Sequence, residues 1–350
     1  MQCDNFMIAD GPQTSGTNSH ADRREYQVPP ELAGSRLDAC LASLAEALSR
    51  SAAKRLIDRG HVRVAGEVVK PSTMLQAGQI IEITIPPPET IQAVAQQLPL
   101  DIVHEDEHML VVNKPPMMAV HPGPGHKRDT LVNALLGYCD SLSTTAGHIR
   151  PGLVHRLDQG TSGLVMVAKN DQVHRKLSAA LEHRQIDRVY QALVWDWPEP
   201  PQGTLTTRFG RHPQHRTMMT VLDTGGREAI TDYRTAERYR WSWAMPGARA
   251  RSRHAAYLLC ALQTGRTHQI RVHAAHLCTP IIGDANYGDL QRDEAGPDEL
   301  NRLVAALPGH ALHAARLVFT HPVTRQQMRL QAPPPAQFTA LQKWLRQHKR

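Results

Sequence analysis

Residues 152–170 read GLVHRLDQGTSGLVMVAKN. Leu153 and Val154 lead into His155, Arg156, Leu157 and Asp158. A polar turn with Gly160 and Gly163 follows, and Leu164 to Ala168 then run apolar up to Lys169. Two apolar strands joined by a glycine-bearing loop would put Arg156 and Asp158 at a strand end beside a buried sheet. A carboxylate there is costly unless paired. Residues two apart in extended chain share a face, which makes Arg156 the local partner. An isolated Arg-x-Asp reads first as a structural salt bridge, because ion pairs perturb acids without doing chemistry. Three histidines further on, His268, His273 and His276, invite a metal reading. No acidic or cysteine partner has the local spacing of zinc ligands. No HExxH occurs, and GPGHKRDT at residues 123–130 lacks the spacing of a phosphate-binding loop.

Longer strings carry more information than these pairs. HRLDQGTSGLVMVAK resembles the catalytic motif of the RluA-type pseudouridine synthases, a family that includes RluD-like enzymes acting on large-subunit (23S) ribosomal RNA. Four further strings follow that family's order. EDEHMLVVNKPPMMAVHPG (105–123) is similar to its opening motif, with Met117 where glycine is typical. RVYQALV (188–194) is similar to its second motif. LQTGRTHQIRVHAAHLCTPIIGDANYG (262–288) is nearly identical to its third, and LHAARLVFTHP (312–322) matches a closing strand. The resemblance implies that Asp158 is catalytic, that Arg271 pairs with it, that Tyr190 is the active-site tyrosine, and that Arg156 occupies or guards the space of a flipped base. It makes Lys114, His121, Arg266 and His268 candidates for positioning RNA. The implied reaction turns uridine into pseudouridine within RNA: the bond to uracil nitrogen breaks, the base turns, and a carbon–carbon bond forms. It needs no cofactor and no metal. Asp158 would act as nucleophile or as stabiliser of the sugar cation, roles familiar from glycosidases, on a base taken out of its stack.

The elements that must hold these residues read as follows. Leu37, Leu41, Leu44 and Leu48, spaced 4, 3 and 4, predict one helix. Ser49 or Ser51 caps a second over 52–59, stopped by Gly60. Val62, Val64, Val68 and residues 80–85 read as short strands. Residues 35–69 resemble the small S-four (αL) RNA-binding domain, with Ala65-Gly66 in place of its usual Asn-Gly turn. Candidate RNA contacts there are Arg36, Arg50, Ser51, Lys54, Arg55, Arg59 and Arg63; charge alone fits a solvated face equally. Residues 102–103 and 109–112 read as strands, 129–136 and 171–184 as helices, and 188–194 as a strand. Residues 196–256 are the least diagnostic stretch, with basic groups at Arg208, Arg211, His212, His215 and Arg216 and again from Ala248. The organisation expected is a disordered tail (1–25), an S-four-type domain (26–88), a proline-stiffened linker (89–99), a catalytic domain (100–340) and a basic tail that frays (341–350). The resemblance implies an α+β fold: a mixed, mostly antiparallel sheet with flanking helices and a central catalytic cleft.

Bulk properties agree with a nucleic-acid partner without identifying one. The 350 residues carry a net charge of +7 and a pI near 9.3. No 18-residue apolar run predicts a membrane span, and no basic start with an apolar core predicts a signal peptide. Five scattered cysteines without a CxxC pair suit reduced thiols in a cytoplasm. The expectation is a monomeric cytoplasmic enzyme whose partner is 23S ribosomal RNA or the assembling large subunit. The alternatives are a pseudouridine synthase acting on transfer RNA or another ribosomal loop, a non-catalytic RNA-binding assembly factor, and a metal hydrolase using the histidines.

Overall fold

A computed structural model describes residues 22–45, 48–85, 93–123, 125–147, 149–215, 217–243, 251–288 and 296–348. Most of the expected tail, Arg216, part of the basic group after Ala248 and residues 289–295 lie outside these. The chain divides into two compact units, Met1–Thr90 and Ile91–Arg350.

The first unit is a four-stranded antiparallel sheet with two helices. Strand β1 (Asp22–Gln27) is followed by α1 (Leu37–Leu44), α2 (Arg50–Asp58), β2 (Val62–Val64), β3 (Glu67–Val68) and β4 (Ile80–Ile85), in the order β1-β4-β2-β3. Leu37 and Leu41 of the predicted stripe are fully buried against Ala53, Ile57, Val62, Ile81 and Ile83. Ser49 caps α2, accepting from the Ala52 N–H, and Gly60 follows its end at φ 73°. The expected tail ends earlier than residue 25. Residues 22–25 already pair with β4, held by backbone hydrogen bonds along an exposed polar strand that apolar patterning does not mark. Ala65 and Gly66 both have positive φ, 50° and 83°, between paired Val64 and Glu67. That is the hairpin turn for which Asn-Gly is the usual solution.

The second unit is built on one ten-stranded sheet, joined in chain order by β5 (Ile102–Glu105), β6 (Met109–Lys114), α3 (Leu131–Tyr138), β7 (Ser162–Ala168), α4 (Asp171–Glu182), β8 (Asp187–Trp195), β9 (Gln202–Arg211), β10 (Met219–Leu222), β11 (Arg227–Trp243), β12 (Arg251–Leu262), α5 (Gln269–His276), α6 (Asp298–Ala305), β13 (Leu312–Thr320), β14 (Gln327–Gln331) and α7 (Ala336–Gln347). The order is β10-β9-β11-β12-β8-β13-β7-β6-β5, with β14 on β13. Among the described strands of this unit only the β13–β7 pairing is parallel. The fold is therefore the mixed, mostly antiparallel α+β class.

Strand β7 is buried at every position, which is why it reads as an unbroken apolar run. Its parallel partner β13 crosses it at Gly163, whose φ is 113° and where a Cβ would lie 2.3 Å from the Ala314 carbonyl oxygen. Beside it, Ser162 Oγ donates to His313 Nδ1 at 2.9 Å, and His313 Nε2 donates to the Ala332 carbonyl at 3.0 Å.

Three expectations need correction. Leu153 and Val154 do not form a strand; Leu153 makes one isolated bridge to Val167, and only the second apolar run is a strand. The segment read as linker belongs to the second unit from residue 93. Asn133 Nδ2 donates to the Val94 carbonyl at 2.7 Å, Gln96 N–H donates to the Asn133 carbonyl, and Ala93 and Leu100 pack on the core. The basic C-terminus does not fray at Trp344: α7 buries Phe338, Leu341, Trp344 and Leu345, and Trp344 Nε1 donates to Glu299. Its 3- and 4-residue apolar spacing outweighs its charge.

Candidate active site

The loop before β7 holds Asp158, and α5 holds the groups that face it. Thr161 N–H donates to the Asp158 carbonyl, closing a turn that leaves the carboxylate 16% exposed. Opposite, the backbone enters α5 through His268 in a left-handed conformation, φ 60° and ψ 20°, a strained state for a non-glycine residue. Gln269 fixes this entrance. Its amide donates to the Ile230 carbonyl and Thr231 Oγ1, and its oxygen accepts from Thr264 Oγ1 and the Arg266 N–H, all between 2.8 and 2.9 Å. One turn on, His273 is pinned between Thr207 Oγ1 at 2.9 Å and Thr231 Oγ1 at 2.8 Å. With α5 tied to β9 and β11 in this way, Arg271 is aimed at Asp158.

Arg271 is 5% exposed and meets two carboxylates. Its Nη1 donates to Asp158 Oδ2 at 3.3 Å. Its Nε and Nη2 donate to the two oxygens of Asp284 at 2.7 and 2.8 Å. Asp284 also accepts from the N–H groups of Asn286 and Tyr287, and the Tyr287 ring lies under the guanidinium at 4.9 Å. Burial works against the Arg271 charge, and Asp284 and Asp158 more than restore it. Burial likewise opposes ionisation of Asp284, and Arg271 holds that carboxyl below the usual range. The bidentate clamp thus falls on Asp284, and Asp158 keeps a single long contact. His268 Nε2 stands 3.9 Å from Asp158 Oδ1, while its Nδ1 bonds the Tyr287 hydroxyl at 2.8 Å.

Asp158, Arg156, Tyr190, Arg266, His268 and Arg271 line one cavity of about 550 Å³, within the ~300–1,000 Å³ range of small-molecule sites. Tyr190 is 5% exposed, and burial pushes its phenol up. Arg156 is exposed at the wall and makes no pair with Asp158 among the described residues, because the two lie in a loop and not in extended strand. His121 is half-buried outside this wall, with its Nδ1 buried and unpartnered.

Lys114 is not an RNA-facing group. It is fully buried, and its ammonium donates to the carbonyls of Pro115, Met118 and Gln159. Burial lowers it to about 7 and the nearby Asp158 charge opposes that shift. It ties the turn after β6 to the loop that carries Asp158. Met117, in that turn, has φ 65°, the backbone that glycine adopts without strain. In the first unit Arg36 and Arg50 share the buried carboxylate of Asp38, Lys54 pairs with Asp58, and Arg63 donates to the Gly66 carbonyl. Ser51 Oγ bonds Ser49 Oγ, and Arg55 and Arg59 are exposed.

The histidines of the third string do not converge on one point. A different set, His104, Asp106 and His321, has its polar atoms within 4.8 Å of one another. His321 Nδ1 accepts from the Val323 and Thr324 N–H groups, so its Nε2 carries the proton and donates to Asp106 at 3.0 Å. That tautomer suits a hydrogen bond and not a metal bond.

Sequence reasoning missed Asp284, which lies inside the third string. The available signal was physical: a buried guanidinium offers two edges, and Asp158 satisfies only one.

A carboxylate loosely held by a fixed guanidinium, in a basic cavity beside a buried tyrosine, sits on a fold and on strings that belong together. The chain belongs to the RNA pseudouridine synthase family and is an isomerase of that class. A sequence profile of RNA pseudouridylate synthase matches residues 108–276, and one of the S4 domain matches residues 35–81. Over 325 residues the chain is 41% identical to ribosomal large subunit pseudouridine synthase D of Xylella fastidiosa, covering 93% of each chain. Over 318 residues it is 40% identical to an uncharacterized RNA pseudouridine synthase of Synechocystis, covering 90% of each. Human RNA pseudouridylate synthase domain containing 4 shares the fold, with a TM-score of 0.50 and 23% identity over 70% of this chain and 92% of that one.

Proposed function

We propose that this enzyme isomerises uridines of large-subunit ribosomal RNA, with Asp158 as the reacting carboxylate. The observation that carries the reading is the Arg271 geometry. Arg271 is neutralised by Asp284 and still holds one oxygen of Asp158 at 3.3 Å, leaving the rest of that carboxylate open to the cavity. The substrate assignment follows the similarity over nearly the whole chain to enzymes named for the large ribosomal subunit. In this reading the target base leaves its stack and packs on Tyr190. Arg156 fills space at the wall. Arg266 and His268 steady the strand, and Arg36, Arg50, Ser51, Lys54, Arg55, Arg59 and Arg63 grip phosphates. The bond from the sugar to uracil N1 breaks, a bond to C5 forms, and the C5 proton is lost while N1 regains one. No oxidant or energy source enters this balance. The enzyme works as a monomer in the cytoplasm.

The test is tritium release from unmodified large-subunit ribosomal RNA labelled at uracil C5. Wild type is expected to release label. Asp158→Asn is expected to bind the same RNA and release none. Release from transfer RNA alone would overturn the substrate, and comparable release by the purified variant would overturn the role of Asp158.

A further inference from the structure

Strand β8 brings another cation to the cavity two residues before Tyr190. Arg188 is 7% exposed and lines the same wall as Asp158. Its place two residues from Tyr190 along the strand puts both side chains on one face. A guanidinium carries five N–H donors. Among the described residues this one is offered a single acceptor, the Leu262 carbonyl, at 3.3 Å from Nη2. Among the described residues its Nε is buried without a partner, and no carboxylate pairs with it.

Of the other arginines at the wall, Arg156 and Arg184 are exposed to solvent, and Arg184, Arg266 and Arg271 are committed to protein partners. Arg271 holds Asp284 and Asp158, Arg184 reaches Gln263 and Glu228, and Arg266 donates to the Glu228 carbonyl. Gly265 leaves room beside Arg188, since a Cβ there would lie 3.0 Å from its Nη1. A buried cation with no counter-ion is expensive, and that cost is relieved when an anion enters the cavity.

We propose that Arg188 binds a phosphodiester of the RNA, one flanking the uridine held at Asp158. The inference rests on reading the cavity as the uridine site. Uracil is neutral and would leave the charge uncompensated. A phosphate brings one negative charge per nucleotide, and its two free oxygens match the guanidinium fork.

Binding of wild type and Arg188→Met to unmodified, transcribed large-subunit ribosomal RNA is measured across a salt series, together with thermal unfolding. Losing one phosphate contact is expected to make the slope of log affinity against log salt shallower by about 0.7. Ethylation interference on the same RNA is expected to show a phosphate beside the modified uridine whose ethylation blocks wild type and not the variant. Arg188→Gln, which retains a donor for the Leu262 carbonyl, takes the place of methionine if that variant does not fold. A folded variant with an unchanged slope, or with the same interference pattern as wild type, overturns the assignment. Wild type that binds with these signatures but forms no pseudouridine would sink the functional reading and leave the Arg188 contact standing.

Discussion

Arg271 grips Asp284 by two hydrogen bonds, at 2.7 and 2.8 Å, and gives Asp158 a third at 3.3 Å. The two acids therefore divide their work. Asp284 is buried and fixes the guanidinium; Asp158 borders the cavity. A lysine at 271 would present one point charge to two carboxylates. Arg271→Lys is expected to lose most turnover in the tritium assay, and near-native turnover would count against the pairing. Asp284→Asn leaves a buried guanidinium short of its charge partner. It is expected to cost about 3–5 kcal/mol in urea unfolding and to lower turnover with it. A change within 1 kcal/mol, about the worth of a surface pair, would show that Asp284 is not the anchor.

The crossing of β7 and β13 leaves no room for a side chain. Gly163→Ala places a methyl 2.3 Å from the Ala314 carbonyl oxygen at a φ of 113°. Either the strands separate or the turn bearing Asp158 shifts. Strain of this kind costs about 1–3 kcal/mol before the clash is added. Calorimetry should show a clear drop in melting temperature, and unchanged melting would contradict the crossing.

His155, His273 and His310 are kept neutral chiefly by burial, which lowers them to about 3, about 4 and about 4. His155 Nε2 accepts the Met166 N–H, which requires the unprotonated form. In the unfolded chain a histidine takes up its proton near 6.5. Between about pH 6.5 and 4 the unfolded state therefore binds more protons, and stability falls as pH falls. Below about 3 to 4 these groups add no further slope, and above 6.5 their contribution is fully present. His155→Gln retains an acceptor for Met166 without the titration. Urea midpoints from pH 7 to 4 should decline less steeply in the variant; an identical decline would remove His155 from the account.

Ala65 occupies the first central position of the β2–β3 turn at φ 50°. An L-residue pays about 1–2 kcal/mol for that conformation, and glycine does not. Ala65→Gly is expected to stabilise the first unit by about 1 kcal/mol. Hydrogen exchange of β2 and β4 amides reads that unit directly, and faster exchange would refute the turn assignment.

What could be read from residues alone depended on whether the signal was local. Leu37 and Leu41 showed their helix through spacing, and β7 showed itself by unbroken apolarity. Asp158, Tyr190 and Arg271 were singled out through long strings and line one cavity, although Asp158 and Arg271 stand 113 residues apart. Strands β9 to β12 were not legible. β9 exposes threonines and arginines on one face and leaves the other largely half-buried, so no strong alternation is left. Asp284 and Gln269 were visible as letters but not as parts, because their roles depend on partners on other elements. Lys114 misled for the opposite reason: lysine predicts a surface, and three backbone carbonyls far from obvious in the sequence hold it inside.

The parallel pairing of β7 with β13 joins Ser162 to His313, 151 residues later in the chain. Leu312, at the start of β13, is itself part of the cavity wall. The loop that carries Asp158 thus has no finished frame until most of the polypeptide has left the ribosome that makes it. Contacts so distant form slowly, and a prematurely terminated product would carry the whole of the HRLD string yet possess no working enclosure for a nucleotide.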